Sequence, residues 1–198
     1  MIVWTQQKIE FWEELNSNGV AYCTNDSWQY KEFQFAYDWL TEQMSSRISP
    51  PPTAEIKHPL WCWTQYSNYK SRKPKFSPQD CNFQAQVFIE ADIPDEMLLH
   101  SNFMLWSCCC LNGYPIAEKC LDKDMDTFRA AHNIKEHNFN LYPDDIKERI
   151  MKSWEVIFDL DYRNRRYETH PRRNKSIQAT FWLLRKEWVK SVRFFIPK

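Results

Sequence analysis

The stretch "SIQATFW", residues 176–182, decides how the chain is read. Its Ile, Thr, Phe and Trp favour a pleated, buried environment, so it reads as a β-strand with a glutamine, Gln178, set into it. The strand continues as "SIQATFWLL", and "VKSVRFFI" follows as a second strand after the short connection "RKEW". A strand-rich tail on a chain that opens strand, helix, strand argues an α+β fold with a mixed or antiparallel sheet and helices packed on it. A regularly alternating doubly wound sheet would order its elements differently. Gln178 is then either a polar residue on the sheet surface or the hydrogen-bonding group of a site.

Upstream of the tail, "DDIKERIMKSWEVIF" carries Ile146, Ile150, Trp154 and Ile157 as one apolar stripe, and Pro143 suits the first turn of that helix. Between 118 and 140 the periodicity is poor and assigns no element. Ser101 is placed to cap a helix over "NFMLWSCCCLN". "FQAQVFIEADIP" reads as a strand with Phe83, Ala85, Val87, Ile89 and Ala91 on one face, and "PLWCWTQY" (59–66) as another. Between these two, "KSRKPKFSPQD" is a polar, proline-broken loop. Apolar residues at Phe33, Ala36, Tyr37, Leu40 and Met44 predict a helix over 30–48, which "SPPP" stops because proline cannot continue the hydrogen-bond ladder. At the front, "IVWT" predicts a strand, Ile9, Trp12 and Leu15 a helix with Gly19 just past its end, and "VAYC" a second strand.

The chain has 198 residues, a length that suits one domain spanning 1–198. Ten Trp, thirteen Phe and nine Tyr supply ample area for its core. Two glycines, Gly19 and Gly113, exclude glycine-rich phosphate loops, which need several close backbone approaches. Seven Cys, an odd number with Cys108, Cys109 and Cys110 consecutive, read as reduced thiols rather than a disulfide framework. "MIVWTQQKIEFWEEL" has no basic flank before an apolar stretch, so neither a signal nor a transit peptide is expected, and no apolar run approaches a membrane span. The expectation is a cytoplasmic protein that does not engage a membrane. Charge is segregated: residues 162–198 hold 11 Lys and Arg against 2 acids, leaving 15 basic and 24 acidic residues before them. Internal pairing or a basic face for an anionic partner would each use that separation.

Cys and His lack the close pairs that structural zinc prefers, and His132 and His137 are five apart, so no metal site is expected. The three consecutive Cys read as small apolar filling beside Leu105 and Leu111. Acidic runs such as "PDDIKE" read as helix N-termini, where negative charge suits the dipole. The stretch "DYRNRRYETHPRRNKS" interleaves Arg163, Arg165, Arg166, Arg172 and Arg173 with Tyr162, Tyr167 and His170. Guanidinium groups fork onto phosphates and aromatic rings stack on bases, so this stretch suits an anionic, base-bearing ligand; a charged surface loop would read the same way.

"VWTQQ", "AYDWLTEQM", "WCWTQY", "WEVIFDLD" and "IQATFWLLRKEWVKSVRFF" together resemble a bacterial family known only as a domain of unknown function, over nearly the whole chain. A fainter resemblance is to the ADP-ribosyltransferase superfamily. That superfamily opens with a strand, a helix ending "L..G" and another strand, as "VWTQQKIEFWEELNSNGVAYC" does. It closes with a strand bearing Glu or Gln, a helical turn and a final strand, places filled here by "SIQATFW", "LLRKEW" and "VKSVRFF". The resemblance implies an ADP-ribosyltransferase-like fold with NAD as substrate. Gln178 then stands where the acidic residue holds the nicotinamide ribose and polarises the bond to be broken. Trp4 and Thr5 lie on the first, NAD-lining strand, Tyr66 joins them in the pocket, and Arg163, Arg165 and Arg166 hold phosphates. The chain departs from the superfamily in offering no Arg or His on the first strand, no Ser-Thr-Ser strand, and Gln in place of the later Glu. The implied activity is modification of a nucleic acid or protein in bacterial conflict or phage defence. The competing expectation is a non-catalytic module that binds nucleic acid or protein in a basic, aromatic groove.

Overall fold

Strand β1 (Ile2–Lys8) runs directly into helix α1 (Ile9–Asn18), which turns Leu15 fully inward and keeps Glu10, Glu13 and the Asn residues at its end outside. Gly19, at φ 74°, ends the helix in the left-handed conformation that glycine adopts without steric cost, and its N–H donates to the Leu15 carbonyl at 3.0 Å. A short strand, β2 (Val20–Tyr22), follows. These positions come from a computed structural model that describes residues 1–24, 31–66, 73–75, 84–116 and 118–195.

Helix α2 (Gln34–Arg47) buries Ala36, Trp39, Leu40 and Met44, and it stops ahead of the prolines as its sequence predicts. Residue 30, where the predicted helix begins, lies outside the described residues, as does Phe83 of the predicted strand face. Strands β3 (Leu60–Gln65) and β4 (Gln86–Asp92) match their predicted cores, with Val87, Ile89 and Ala91 wholly buried on one face.

Three local readings need correction. Ser101 belongs to strand β5 (Leu99–Asn102), and the cap of the helix that follows is Asn102, whose Oδ1 accepts from the Met104 and Leu105 amides at 3.0 and 3.2 Å. That helix, α3 (Phe103–Leu105), passes at once into a π-helical turn over Trp106–Cys110, which sends Cys109 and Cys110 into the core and leaves Cys108 exposed. Residues assigned no element form α4 (Lys119–Ala131), whose inward side is only Leu121, Met125 and the half-buried Phe128. So narrow a stripe among charged residues gives little periodicity. Lastly, "SIQATFWLL" is two strands. Trp182 leaves the ladder to donate its indole N–H to the Ser49 carbonyl at 2.8 Å, which separates β6 (Ile177–Phe181) from β7 (Leu183–Arg185). Helix α5 (Asp144–Trp154) and the final strand β8 (Val189–Phe195) stand where predicted.

Six strands form one antiparallel sheet in the order β5-β6-β3-β1-β4-β8, and β2 and β7 form a separate ribbon. The sheet separates two cores. On one face α1 and the ribbon bury Val3, Leu15, Val87, Ile89, Ala179, Phe181 and Leu184. On the other, α2, α4, α5 and the π-helical turn pack Trp39, Met44, Trp106, Leu121, Ile150 and Trp154 together with Leu99 of β5. Gly113, at φ 68°, lies so close to Phe139 that a Cβ there would sit 2.5 Å from the Phe139 Cβ. The architecture is α+β, as the order of elements implies.

Sheet pairing is uneven. β1 and β4 pair over seven registers from Ile2↔Asp92 to Lys8↔Gln86, whereas β1 and β3 share only Trp4↔Trp63. The sheet is thus two half-sheets, β5-β6-β3 and β1-β4-β8, held at a single register point.

Candidate functional site

Directly opposed residues of an antiparallel pair share a face of the sheet. The registers Ser101↔Gln178, Gln178↔Trp63, Trp63↔Trp4 and Trp4↔Glu90 therefore run as one row across five strands, through the point where the half-sheets meet. Glu90 stands at one end of it, Trp4 and Trp63 in the middle, and Gln178 and Ser101 at the other end. At one end Trp4 donates its indole N–H to Glu90 Oε2 at 2.8 Å, and Lys73 Nζ bonds the same oxygen, so these partners and Lys73's charge lower the Glu90 pKa.

At the other end the polar groups lack partners. Gln178 is 6 % exposed, and its Nε2 makes no hydrogen bond among the described residues. Ser101 Oγ beside it, and Thr180 Oγ1 and Trp61 Nε1 of the next row on the same face, are likewise buried without partners. Orphan donors cluster in native proteins where something other than the chain itself satisfies them.

Next to this cluster lies the largest groove described, about 740 Å³, within the size range of small-molecule sites. One wall is Tyr66, Phe103 and Met104. Trp63 stands edge-on to the rings of Tyr66 and Phe103, at 4.9 Å in each case. Ser176, which immediately precedes β6 and stands two residues from Gln178, also lines the groove. The opposite wall is the segment Arg166–His170 with Asn174 and Lys175.

That wall is fastened by a buried carboxylate. Glu168 Oε2 accepts from Asn102 Nδ2 at 2.7 Å, and Oε1 accepts from the His170 amide at 2.9 Å and faces His170 Nδ1 at 3.1 Å. Burial pushes the Glu168 carboxyl up, but the hydrogen bonds from Asn102 and His170 and the charge of Lys175 outweigh it, so its pKa lies below the ordinary value. Lys175 is itself buried, with Nζ donating to the Leu160 and Tyr162 carbonyls at 2.7 and 2.6 Å; burial depresses its pKa against the raising charges of Glu168, Asp159 and Asp161. Gln65 Nε2 donates to the Arg172 and Lys175 carbonyls at 2.7 and 2.9 Å. Asn102 thus ties both walls, capping α3 with its oxygen and holding Glu168 with its amide.

Beyond the Trp4–Trp63 pair the half-sheets part and leave a smaller cavity of about 290 Å³, lined by Trp4, Thr64, Gln65, His100, Arg172 and Ile177 among others. Burial pushes the His100 pKa down, with Asp95 opposing and Arg172 adding to the shift.

The residues singled out from sequence divide accordingly. Gln178 and Trp4 share the row, and Tyr66 and Arg166 line the groove. Thr5 faces the opposite side of the sheet, buried with Val3 and Ile89, and its hydroxyl donates to the Trp61 carbonyl at 2.7 Å. Arg166 lies over the Tyr167 ring and is ion-paired to Asp122 at 2.7 Å. Arg163 and Arg165 are exposed at the turn closed by the Asn164↔Glu168 bridge and carry no ion pair among the described residues. Sequence reading missed Ser101, Trp63, Phe103, Glu168 and Lys175. Glu168 had a signal, as the lone acid within the basic stretch 162–175.

A family match spans the elements that build this site: the one described as Domain of unknown function (DUF3841) matches residues 2–190. The chain belongs to that family. No curated protein and no solved structure matches the chain. The matched span of the DUF3841 family holds the whole row from Trp4 to Gln178 and both walls of the groove. Among the described residues no three His, Cys, Asp or Glu side chains are arranged to hold a metal ion, and no helix is long and apolar enough to cross a membrane.

Proposed function

We propose that the groove beside Gln178 binds NAD and that the protein is an ADP-ribosyltransferase-like domain. The observation that carries this reading is the row itself. The first strand and the Gln-bearing strand, which the superfamily resemblance singles out, flank the "WCWTQY" strand in the sheet, and Trp4, Trp63 and Gln178 share one register across the three. Toward its Ser101 end the row holds two buried atoms without partners, Gln178 Nε2 and Ser101 Oγ, near a groove of ligand size.

In this reading Gln178 Nε2 donates to a ribose hydroxyl, and Tyr66 and Phe103 give a flat base an aromatic wall. Arg166 meets the diphosphate while sharing its charge with Asp122. Thr5 acts from the far face by fixing β1 to β3, and Lys175 holds the wall rather than the ligand. Transfer breaks the bond between ribose C1′ and the nicotinamide nitrogen. The electron pair leaves with nicotinamide, an acceptor oxygen or nitrogen bonds to C1′, and the acceptor proton passes to solvent. Gln178 orients the ribose but carries no negative charge to the developing cation. Glu168, held ionised in the opposite wall, is the one carboxylate among the residues lining the groove.

The neutral Gln178 also favours a second reading, in which the groove binds NAD without turning it over. Calorimetric titration with NAD, run with wild type and Gln178→Ala, together with an assay of nicotinamide release, separates the cases. Binding lost in the variant and nicotinamide released support transfer; binding without release selects the second reading. No binding at millimolar NAD would falsify both.

A further inference from the structure

The rim of the groove carries more positive charge than a dinucleotide uses. A diphosphate presents two phosphates, whereas the segment 163–175, which supplies the groove wall, carries Arg163, Arg165, Arg166, Arg172 and Arg173, of which Arg166 lines the groove and Arg172 the smaller cavity. Two of them are committed, Arg166 to Asp122 at 2.7 Å and Arg172 to Asp161 at 3.6 Å. Arg163, Arg165 and Arg173 are exposed, without an ion pair among the described residues, and each is the sequence neighbour of Asn164, Arg166 or Asn174, residues of the bridged turn or the groove wall. The acid nearest them in the wall, Glu168, is buried and its oxygens are occupied. Beside this charge the groove exposes flat and apolar surface, with Tyr66 39 % and Met104 48 % accessible.

We infer that this rim and groove hold a single-stranded nucleic acid, with phosphates on Arg163, Arg165 and Arg173 and a base against Tyr66. Unneutralised guanidinium groups flanking one wall of a groove whose other wall exposes a ring suit a single strand, because every base has a stackable face and every linkage a charge. A duplex keeps its bases stacked on each other and cannot use Tyr66. The inference goes beyond the dinucleotide reading: both put a base on Tyr66, so the strand occupies the groove in place of NAD, and its binding needs none.

The test is fluorescence anisotropy with labelled 20-nucleotide RNA and DNA of mixed sequence, single-stranded and duplex, without NAD. Three phosphate contacts to a single strand give a slope of about −2 for log affinity against log salt, so affinity falls about 20-fold between 50 and 200 mM salt. Replacing Arg163, Arg165 and Arg173 together by Gln is expected to flatten that slope. Tyr66→Ala is expected to weaken binding about tenfold while the slope stays as in wild type, which separates stacking from charge. All replaced side chains are exposed, and an unchanged melting temperature shows that the variants fold. Preference for RNA or for DNA identifies the sugar and supports the inference in either case. No binding at 50 mM salt, binding unchanged in the triple variant, or equal binding of duplex and of heparin would overturn it. NAD titration of the same samples is independent, so failure here leaves the dinucleotide reading standing, and the reverse.

Discussion

The two half-sheets that meet at Trp4 and Trp63 treat their polar groups in opposite ways. In β1-β4-β8 the polar side chains facing the row are spent on one another. Trp4 bonds Glu90, Glu90 bonds Lys73, Gln6 bonds Gln86, and Arg193 lies over the rings of Phe88 and Phe195. In β5-β6-β3 the same face buries Ser101, Gln178, Thr180 and Trp61 with donors left over. An unmet buried hydrogen bond costs about 1–3 kcal/mol, so the second half gives up stability that the first keeps. Such an asymmetry inside one sheet is the observation on which the proposed site rests.

The strongest way to break the comparison is to damage the satisfied half. Ile89→Ala empties a wholly buried position on β4 and is expected to cost about 2–5 kcal/mol in denaturant unfolding. Trp4→Phe removes the bond to the Glu90 carboxylate and is expected to cost about 1.5–3 kcal/mol. Gln178→Met in the other half has the opposite sign. It keeps length and removes an unpartnered amide, so stability is expected to rise by about 1 kcal/mol while NAD binding is lost. If Gln178→Met destabilised the protein as Trp4→Phe does, the amide would have a structural partner and the contrast between the halves would fail.

This contrast also explains what was legible beforehand. Period-two and helical spacing depend on which side chains face a core, so β4, α2 and α5 could be read from Val87-Ile89-Ala91, Leu40-Met44 and Ile146-Ile150-Trp154. The break after Phe181 could not, because it follows from the distant hydrogen bond between Trp182 and Ser49. The site divides the same way. Gln178 stood out as a polar residue in a buried strand, and Tyr66 and Arg166 by their type. Ser101, Phe103 and Glu168 join them only through the β5–β6 register and the Asn102 bonds, contacts between residues 66 or more positions apart. Thr5 was assigned to the pocket with Trp4, yet neighbouring strand residues point to opposite faces.

A smaller effect is expected at the rim. Arg166 spends its charge on Asp122, and Asp122→Asn releases it toward the groove. The pair is exposed, so the gain in NAD affinity is expected to be only a few-fold. That gain should vanish above about 0.5 M salt, where charges more than a few ångströms apart are screened. An unchanged affinity would show that the phosphates lie away from Arg166, and the diphosphate would then belong with the free arginines of the rim.

The smallest effect comes from acid. His100 lies on β5, in the half with unmet donors, and no histidine occurs in β1, β4 or β8. Burial holds its folded pKa below the ordinary 6.5, with Asp95 opposing and Arg172 assisting. Below 6.5 the unfolded chain takes up a proton that the folded chain refuses, so stability present above that pH is lost as pH falls through it. The loss should be local, since β5 is a short edge strand of four residues. Hydrogen exchange between pH 7.5 and 5.5, corrected for intrinsic rates, should therefore quicken in β5 and β6 and stay unchanged in β1 and β4. Equal quickening across the sheet would mean that the single register at Trp4 and Trp63 couples the halves rigidly, so that a ligand entering at Gln178 would be felt in all six strands.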